Sequence, residues 1–248
     1  MVSLNNNERI DQLYSNQIKI IQSSDVFSFS LDAVLLAHFA DVSRKESTKI
    51  VDLCAGNGAV GLFVSQKTKG QIYQIELQEK LADMANRSIE LNHLENQVQV
   101  KQTDLINTFD YLEKDSIDTV LCNPPYFPNT PQSSQNPNKY LAIARHEITT
   151  NLDSILEITS GLLKMKGKTF FVHRPDRLPE ILSKMVNHRL APKKIQFVHP
   201  KEGKEANMVL IEAIKDGNAA GIRIMPPIVV YGNDDEYTQM VQEIVYGR

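Results

Sequence analysis

Cys54 and Cys122 are the only cysteines in 248 residues. They suit neither a disulfide framework nor a metal-ligand spacing, and they read as reduced core residues. The six histidines are scattered without a zinc pattern. No apolar run reaches the ~18 residues of a membrane-spanning helix. The start, Met1-Val2-Ser3-Leu4-Asn5-Asn6-Asn7, is not an apolar signal segment. No internal repeat is present. These absences argue against a disulfide-stapled secreted fold, a membrane span and a structural metal site. They leave the expectation of a soluble, cytoplasmic protein.

Hydrophobic residues make up 42% of the chain, enough for one large α/β domain with a sizeable core. The net charge of −3 is unevenly spread. Residues 161–204 carry eleven Lys/Arg against three acids, a surplus of eight, which leaves −11 for the rest. Such a block is a candidate surface for a phosphate backbone, with Arg174, Lys193, Lys194, Lys201 and Lys204 as its contacts. Lysines that merely flank strands and sit in water explain it as well.

Along the chain, residues 1–27 read as irregular or weakly β, with a short strand at Ile18–Gln22. A buried helix is expected over Ala33–Asp41, capped by Ser30. Strands at 50–54, 71–75, 98–102, 117–122 and 167–173 alternate with helical stretches at 62–66, 78–94, 152–163 and 177–189. Thr150 and Asp153 are placed as cap and third-residue acid of the third of these helices, and Asp176 as cap of the fourth. Residues 127–140, rich in Pro, Asn and Ser, read as a long mobile loop. Strands at 193–199 and 208–214 are joined too briefly for a crossover helix, so they should be antiparallel. Residues 222–231 are partly extended, and 237–246 form a terminal helix. The sum is an α/β fold: a doubly wound, mostly parallel seven-stranded sheet with an antiparallel C-terminal hairpin. Ligands of such sheets bind beyond the carboxyl ends of the strands, where strand order reverses. Asp52 with Gly56, then Glu76, Asp104 and Asn123, all fall at such ends.

Asn123-Pro124-Pro125-Tyr126 is the most telling of these endings. Pro124 fixes its own φ, lacks an N–H, and pushes Asn123 into extended backbone; Pro125 stiffens the corner further. The corner presents an amide, a carbonyl with no helix to serve, and a flat ring. It could hold a planar group that bears an amino nitrogen, or be a plain strand-ending turn. Upstream, Gly56-Asn57-Gly58-Ala59-Val60-Gly61 fits G-x-G-x-x-G between a strand and a helix. In a dinucleotide-binding reading the glycines admit a pyrophosphate and Glu76 binds a ribose. In an S-adenosylmethionine reading, Asp52 and the glycine turn take the methionine end, Glu76 the ribose hydroxyls and Asp104 the adenine amino group. Only the second gives Asp104 a task. A dehydrogenase also needs a substrate domain, for which about 40 leading residues leave little room.

Asp52, Gly56, Gly58, Glu76, Asp104 and the Asn123–Tyr126 corner together resemble the class I methyltransferases that modify amino nitrogens. Glu8-Arg9-Ile10-Asp11, Phe29 to Leu36, Ala144-Arg145-His146-Glu147 and Glu236-Tyr237-Thr238 resemble one branch, the tRNA(Val) adenine-N6 methyltransferases, which modify the purine beside the anticodon. Cys54 departs from the pattern, standing where many relatives have the first glycine of the loop. The resemblance implies a Rossmann-like domain over 41–248, with residues 1–40 an extension packed on the cofactor site. It implies S-adenosylmethionine held by Ser30, Asp32, Asp52, Ala55, Gly56, Gly58, Glu76, Leu77, Asp104, Leu105 and Asn123. Asn123, Pro124 and Tyr126 would be catalytic, and Phe127, Arg145 and His146 would meet RNA, with tRNA the partner and no metal needed. For Ser30 and Asp32, helix capping is the competing reading. Glutamine methylation on a release factor, methylation of DNA adenine or ribosomal RNA guanine, and a non-catalytic RNA-binding module are the alternatives.

Overall fold

A computed structural model describes residues 2–13, 18–26, 31–126, 150–218 and 220–247. Strands β1 (Glu8–Leu13) and β2 (Ile18–Ser23) form an antiparallel hairpin. The main sheet contains β3 (Lys49–Leu53), β4 (Gln71–Glu76), β5 (Val98–Gln102), β6 (Ile117–Cys122), β7 (Leu163–His173), β8 (Leu190–Lys201) and β9 (Met208–Lys215). Two short strands, β10 (Arg223–Ile224) and β11 (Ile228–Tyr231), add parallel to β8 at its edge. The helices are α1 (Leu31–Phe39), α2 (Ala59–Ser65), α3 (Glu79–Leu91), α4 (Leu152–Leu162), α5 (Leu178–Asn187) and α6 (Gln239–Tyr246).

The strand order is β5-β4-β3-β6-β7-β9-β8, and β9 is antiparallel to both neighbours. The expected sheet is present, with the two short strands added. Its central strands are buried on both faces, which is why they read as unbroken apolar runs rather than alternating ones. Phe170, Leu121 and Leu210 pack on the face covered by α1, α2 and α6. Their sequence neighbours Phe171, Val120, Val209 and Ile211 pack on the face covered by α4 and α5.

Strand order reverses between β3 and β6, so a crevice opens above their carboxyl ends. Helix α2 can lie close against the sheet because Gly61 has no side chain. A Cβ there would stand 2.2 Å from Gln74 Nε2.

One local expectation is sharpened, the weakly β reading of the first residues, and two are corrected. Residues 8–13 form strand β1, because its partner β2 supplies hydrogen bonds that a lone polar stretch does not advertise. Asn151, not Thr150, caps α4, its side chain accepting the Ser154 N–H at 3.0 Å. Asp176 does not cap α5: Pro175 opens a 3-10 turn, Pro175–Arg177, that precedes the helix.

Among the leading residues, Ile18 and Ile20 of β2 are buried in the same core cluster as α1. Helix α1 is buried within the main core. The β1–β2 hairpin docks on α3 by packing Ile21 against Leu81 and Met84 and through polar contacts. Arg87 forks onto the Glu8 carboxylate at 2.7 and 2.8 Å, the Ser88 hydroxyl accepts the Ile21 N–H at 2.9 Å, and Lys80 pairs with Asp25 at 2.9 Å. Among the described residues no helix is long and apolar enough to cross a membrane.

Candidate active site

After β3, Cys54 takes a left-handed φ of 58°, and the turn closes with Ala55 donating to the Ile75 carbonyl at 3.0 Å. Gly58 begins α2 with φ of 85° and offers no side-chain cap. Asp52 substitutes for it from the preceding strand. Its Oδ2 accepts the Gly61 N–H at 3.0 Å, a carboxyl at a helix N-terminus. Asp52 is fully buried, and burial pushes its pKa up to about 8 against the pull of the Gly61 amide. Asn57 ties the turn to the N-terminal hairpin, its side-chain amide donating to the Ile21 carbonyl at 3.1 Å.

Glu76 ends β4 and is almost fully buried. Its two oxygens accept the Gly56 and Gln78 N–H groups, each at 2.8 Å. Burial raises its pKa, and these amides, with that of Leu77, oppose the rise. Asp104 follows β5, with Oδ1 accepting the Ile106 N–H at 3.1 Å to cap a 3-10 turn, Leu105–Asp110.

At the end of β6 the Tyr126 hydroxyl lies 2.7 Å from Asp32 Oδ2 and 2.5 Å from Asn123 Oδ1. The Tyr126 ring packs on His173, with centroids 5.2 Å apart, and its carbonyl accepts from Arg177 at 3.3 Å. His173 is held neutral, its pKa lowered to about 4 by burial and by Arg177. Its Nδ1 accepts the Arg174 N–H at 2.8 Å, which leaves the ring proton on Nε2.

These ends enclose one cavity of about 430 Å³. Asp32, Ala55, Gly56, Glu76 and Leu77 line it, and so do Asp104, Leu105, Asn123, Pro124 and Tyr126. Asp52 and Gly58 stand behind the wall and shape the turn. Arg174, expected on a basic surface, lines the cavity too. Asn57, Gln78 and the start of β9, Asn207 and Met208, were not expected there. Asn207 and Met208 arrive because β9 runs antiparallel, which turns its first residues toward the carboxyl ends of its neighbours. Only the strand order reveals that. Ser30, Phe127, Arg145 and His146 lie outside the described residues, as does the loop expected over 127–140.

The basic block is largely engaged within the chain. Lys194 pairs with the buried Glu212 at 2.6 Å, Lys201 with Asp235 at 2.6 Å, and Lys193 donates to the carbonyls of Asn218 and Ala220. Lys204 is exposed on the β8–β9 hairpin. Cys54 and Cys122 are both free thiols at the ends of adjacent strands; Leu53 pairs with Cys122, whose pKa is pushed up by burial.

A glycine turn at the switch point, with acids ending the next two strands, defines a class I S-adenosylmethionine-dependent methyltransferase. The residues present fit that cofactor. Glu76 keeps lone pairs for a ribose diol beyond the two amides it accepts, Asp104 keeps an oxygen for an amino group, and Leu77 and Leu105 give apolar walls for a purine. The model of the methyltransferase small domain matches residues 17–188, and the chain belongs to that family.

Curated relatives include tRNA1(Val) (adenine(37)-N6)-methyltransferases. That of Shewanella sp. (strain MR-4) is 26% identical over 216 residues, 87% of this chain and 89% of the relative. That of Haemophilus influenzae is 28% identical over 230 residues, 92% and 94% of the two chains. Among solved structures, a predicted O-methyltransferase of Agrobacterium tumefaciens superposes with a TM-score of 0.67 at 23% identity, covering 86% of this chain and 94% of that one. That likeness is one of fold.

Proposed function

We propose that this enzyme methylates N6 of an adenine in tRNA, at the purine beside the anticodon of a valine tRNA. The observation that carries the reading is the Asn123–Tyr126 corner opening onto the same cavity as Glu76 and Asp104. The curated relatives, aligned over most of the chain, support the choice of acceptor.

Bound in the cavity, S-adenosylmethionine supplies an electrophilic sulfonium methyl group. Glu76 would hold the ribose hydroxyls, Asp104 the adenine amino group, and Ala55 and Gly56 the methionine end. An exocyclic adenine amine is a poor nucleophile, because its lone pair is conjugated with the ring. Asn123 Oδ1 and the Pro124 carbonyl would accept hydrogen bonds from its two N–H groups. Nitrogen then gains electron density and turns toward tetrahedral geometry, and the charge developing on it is stabilised. No strong base is required, because the nitrogen, once methylated and cationic, is acidic enough to release one proton to water. Tyr126 would stack on a base turned out of its stack, a contact worth about 1–3 kcal/mol. Arg174 at the cavity, Lys204, Arg145 and His146 are the RNA contacts in this reading. Lys193, Lys194 and Lys201 have partners in the chain, as Arg174 has Asp176 at 3.9 Å, but Arg174 lines the cavity and these lysines do not.

The test is methyl transfer from labelled S-adenosylmethionine, with unmodified valine tRNA, ribosomal RNA, DNA and release factor offered in parallel. Nucleoside analysis should give N6-methyladenosine from the tRNA. Label appearing only in protein would sink the reading.

A further inference from the structure

A phenol carries one proton, yet the Tyr126 hydroxyl stands between two oxygen acceptors, Asp32 Oδ2 at 2.7 Å and Asn123 Oδ1 at 2.5 Å. It can serve only one of them. The hydroxyl cannot escape by swinging away, because its ring rests on His173 and its backbone carbonyl is held by Arg177. Asp32 is buried in the first turn of α1, its Oδ1 accepts the Ala33 N–H at 3.0 Å, and its Oδ2 faces the phenol. A carboxylate is the stronger acceptor, more so where water is excluded.

We propose that Asp32 is a positioning residue that accepts the hydrogen bond of the Tyr126 hydroxyl and thereby releases the Asn123 carbonyl for the substrate amine. The Asn123 amide turns about its Cβ–Cγ bond so that Nδ2–H donates to the phenol oxygen. Its Oδ1 then faces the cavity; which end of an amide is oxygen follows from its network. Without the Asp32 acceptor, the phenol proton returns to Asn123 Oδ1 and blocks it. The hydroxyl of Tyr126 is therefore useful only in the presence of Asp32. This deepens the proposed function and rests on it for the identity of the amine. It differs from the expectation that Asp32 touches the cofactor.

A double-mutant cycle tests it. In Asp32→Asn, the Ala33 N–H retains the new amide's oxygen, so its NH2 faces the phenol and drives the phenol proton onto Asn123. Single-turnover methyl transfer should fall about tenfold to a hundredfold, the scale of one hydrogen bond to a charged group, while cofactor Kd by calorimetry holds. Adding Tyr126→Phe should restore most of the lost rate, because the misdirected hydroxyl is gone. A double variant no faster than Asp32→Asn overturns the proposal, as does a weakened cofactor Kd with an unchanged rate. A second readout needs no substrate. With asparagine labelled by 15N, and the Asn123 side-chain pair identified by its loss in Asn123→Asp, both single variants should shift that pair. Unmoved resonances overturn the network even if the wild-type enzyme is active. An enzyme that methylates no adenine, but shows the shifts, overturns the proposed acceptor and leaves the network standing.

Discussion

Glu76 accepts the backbone N–H of Gly56 at 2.8 Å, which ties the end of β4 to the turn after β3 across twenty residues of sequence. The same carboxylate accepts from Gln78, so one buried side chain organises two backbone segments on the cavity wall.

Glu76→Gln should therefore act twice. One of the two amides would face an NH2 group, a loss of about 1–3 kcal/mol in stability, and one acceptor for the ribose diol would be gone. Calorimetry should show cofactor affinity about tenfold or more weaker. Unchanged affinity would remove Glu76 from the cofactor site.

Asp52 should tolerate amide replacement. It is buried with a pKa near 8, so at neutral pH it is mostly the protonated acid, and an Asn oxygen can accept the same Gly61 N–H. Asp52→Asn should keep cofactor Kd, whereas Asp52→Ala should lose about 1 kcal/mol or more from the uncapped helix. The pH dependence carries a sign. The folded pKa lies above the unfolded 3.8, so the stability tied to this group is full below pH 4 and declines up to pH 8. Asp52→Asn should flatten the stability–pH curve there, by at most about 1.4 kcal/mol per pH unit. Parallel curves for the two proteins would show that Asp52 is ionised.

Arg87→Ala should loosen the N-terminal hairpin. Glu8 loses its bidentate partner, and Arg87 also holds Asp83 at 2.6 Å. A loss of about 2 kcal/mol and faster proteolysis before residue 26 are expected. Glu8 has its pKa lowered chiefly by the hydrogen bonds from Arg87, so this contribution is present above its usual value and lost as pH falls. Equal proteolysis of both proteins would refute the latch.

Charge reversal in the basic block should separate structure from binding. Lys194→Glu would leave Glu212, with a side chain only 4% exposed, beside a like charge, and thermal melts should show clear destabilisation. Lys204→Glu should leave the melt alone and weaken tRNA binding with a flatter salt dependence. The opposite pattern in the two melts would contradict the ion pair.

Cys54→Gly tests the strained turn. A side chain at φ 58° costs about 1–2 kcal/mol, and glycine avoids that at some entropic expense. The variant should melt within about 1 kcal/mol of wild type, and Cys54→Val clearly below it. Indistinguishable Val and Gly variants would show that the turn carries no strain.

Much of the site was legible because strand-end chemistry is local. A glycine turn between an apolar run and a helix, an acid ending each of the next two strands, and an amide before two prolines are each read within a few residues. The doubly wound sheet follows from the same alternation, since βα units close only one way round. The bounds of β1 were not legible, because its pattern is polar and its partner supplies the pairing. Nor were the caps of α4 and α5, where neighbouring residues compete for one position.

By itself, then, the amino-acid order determined the parallel sheet and the set of groups gathered at its carboxyl end. Tertiary structure decided which of them face the cavity. It put Asp52 behind the wall as a helix cap, turned Lys193, Lys194 and Lys201 toward partners in the chain, and brought Arg174 and the start of β9 to the pocket. It also set Asp32 against Tyr126 across 94 residues. Spacing along a chain shows what a side chain can do. The strand order and the direction of each strand select its partner, and neither is written in any single segment.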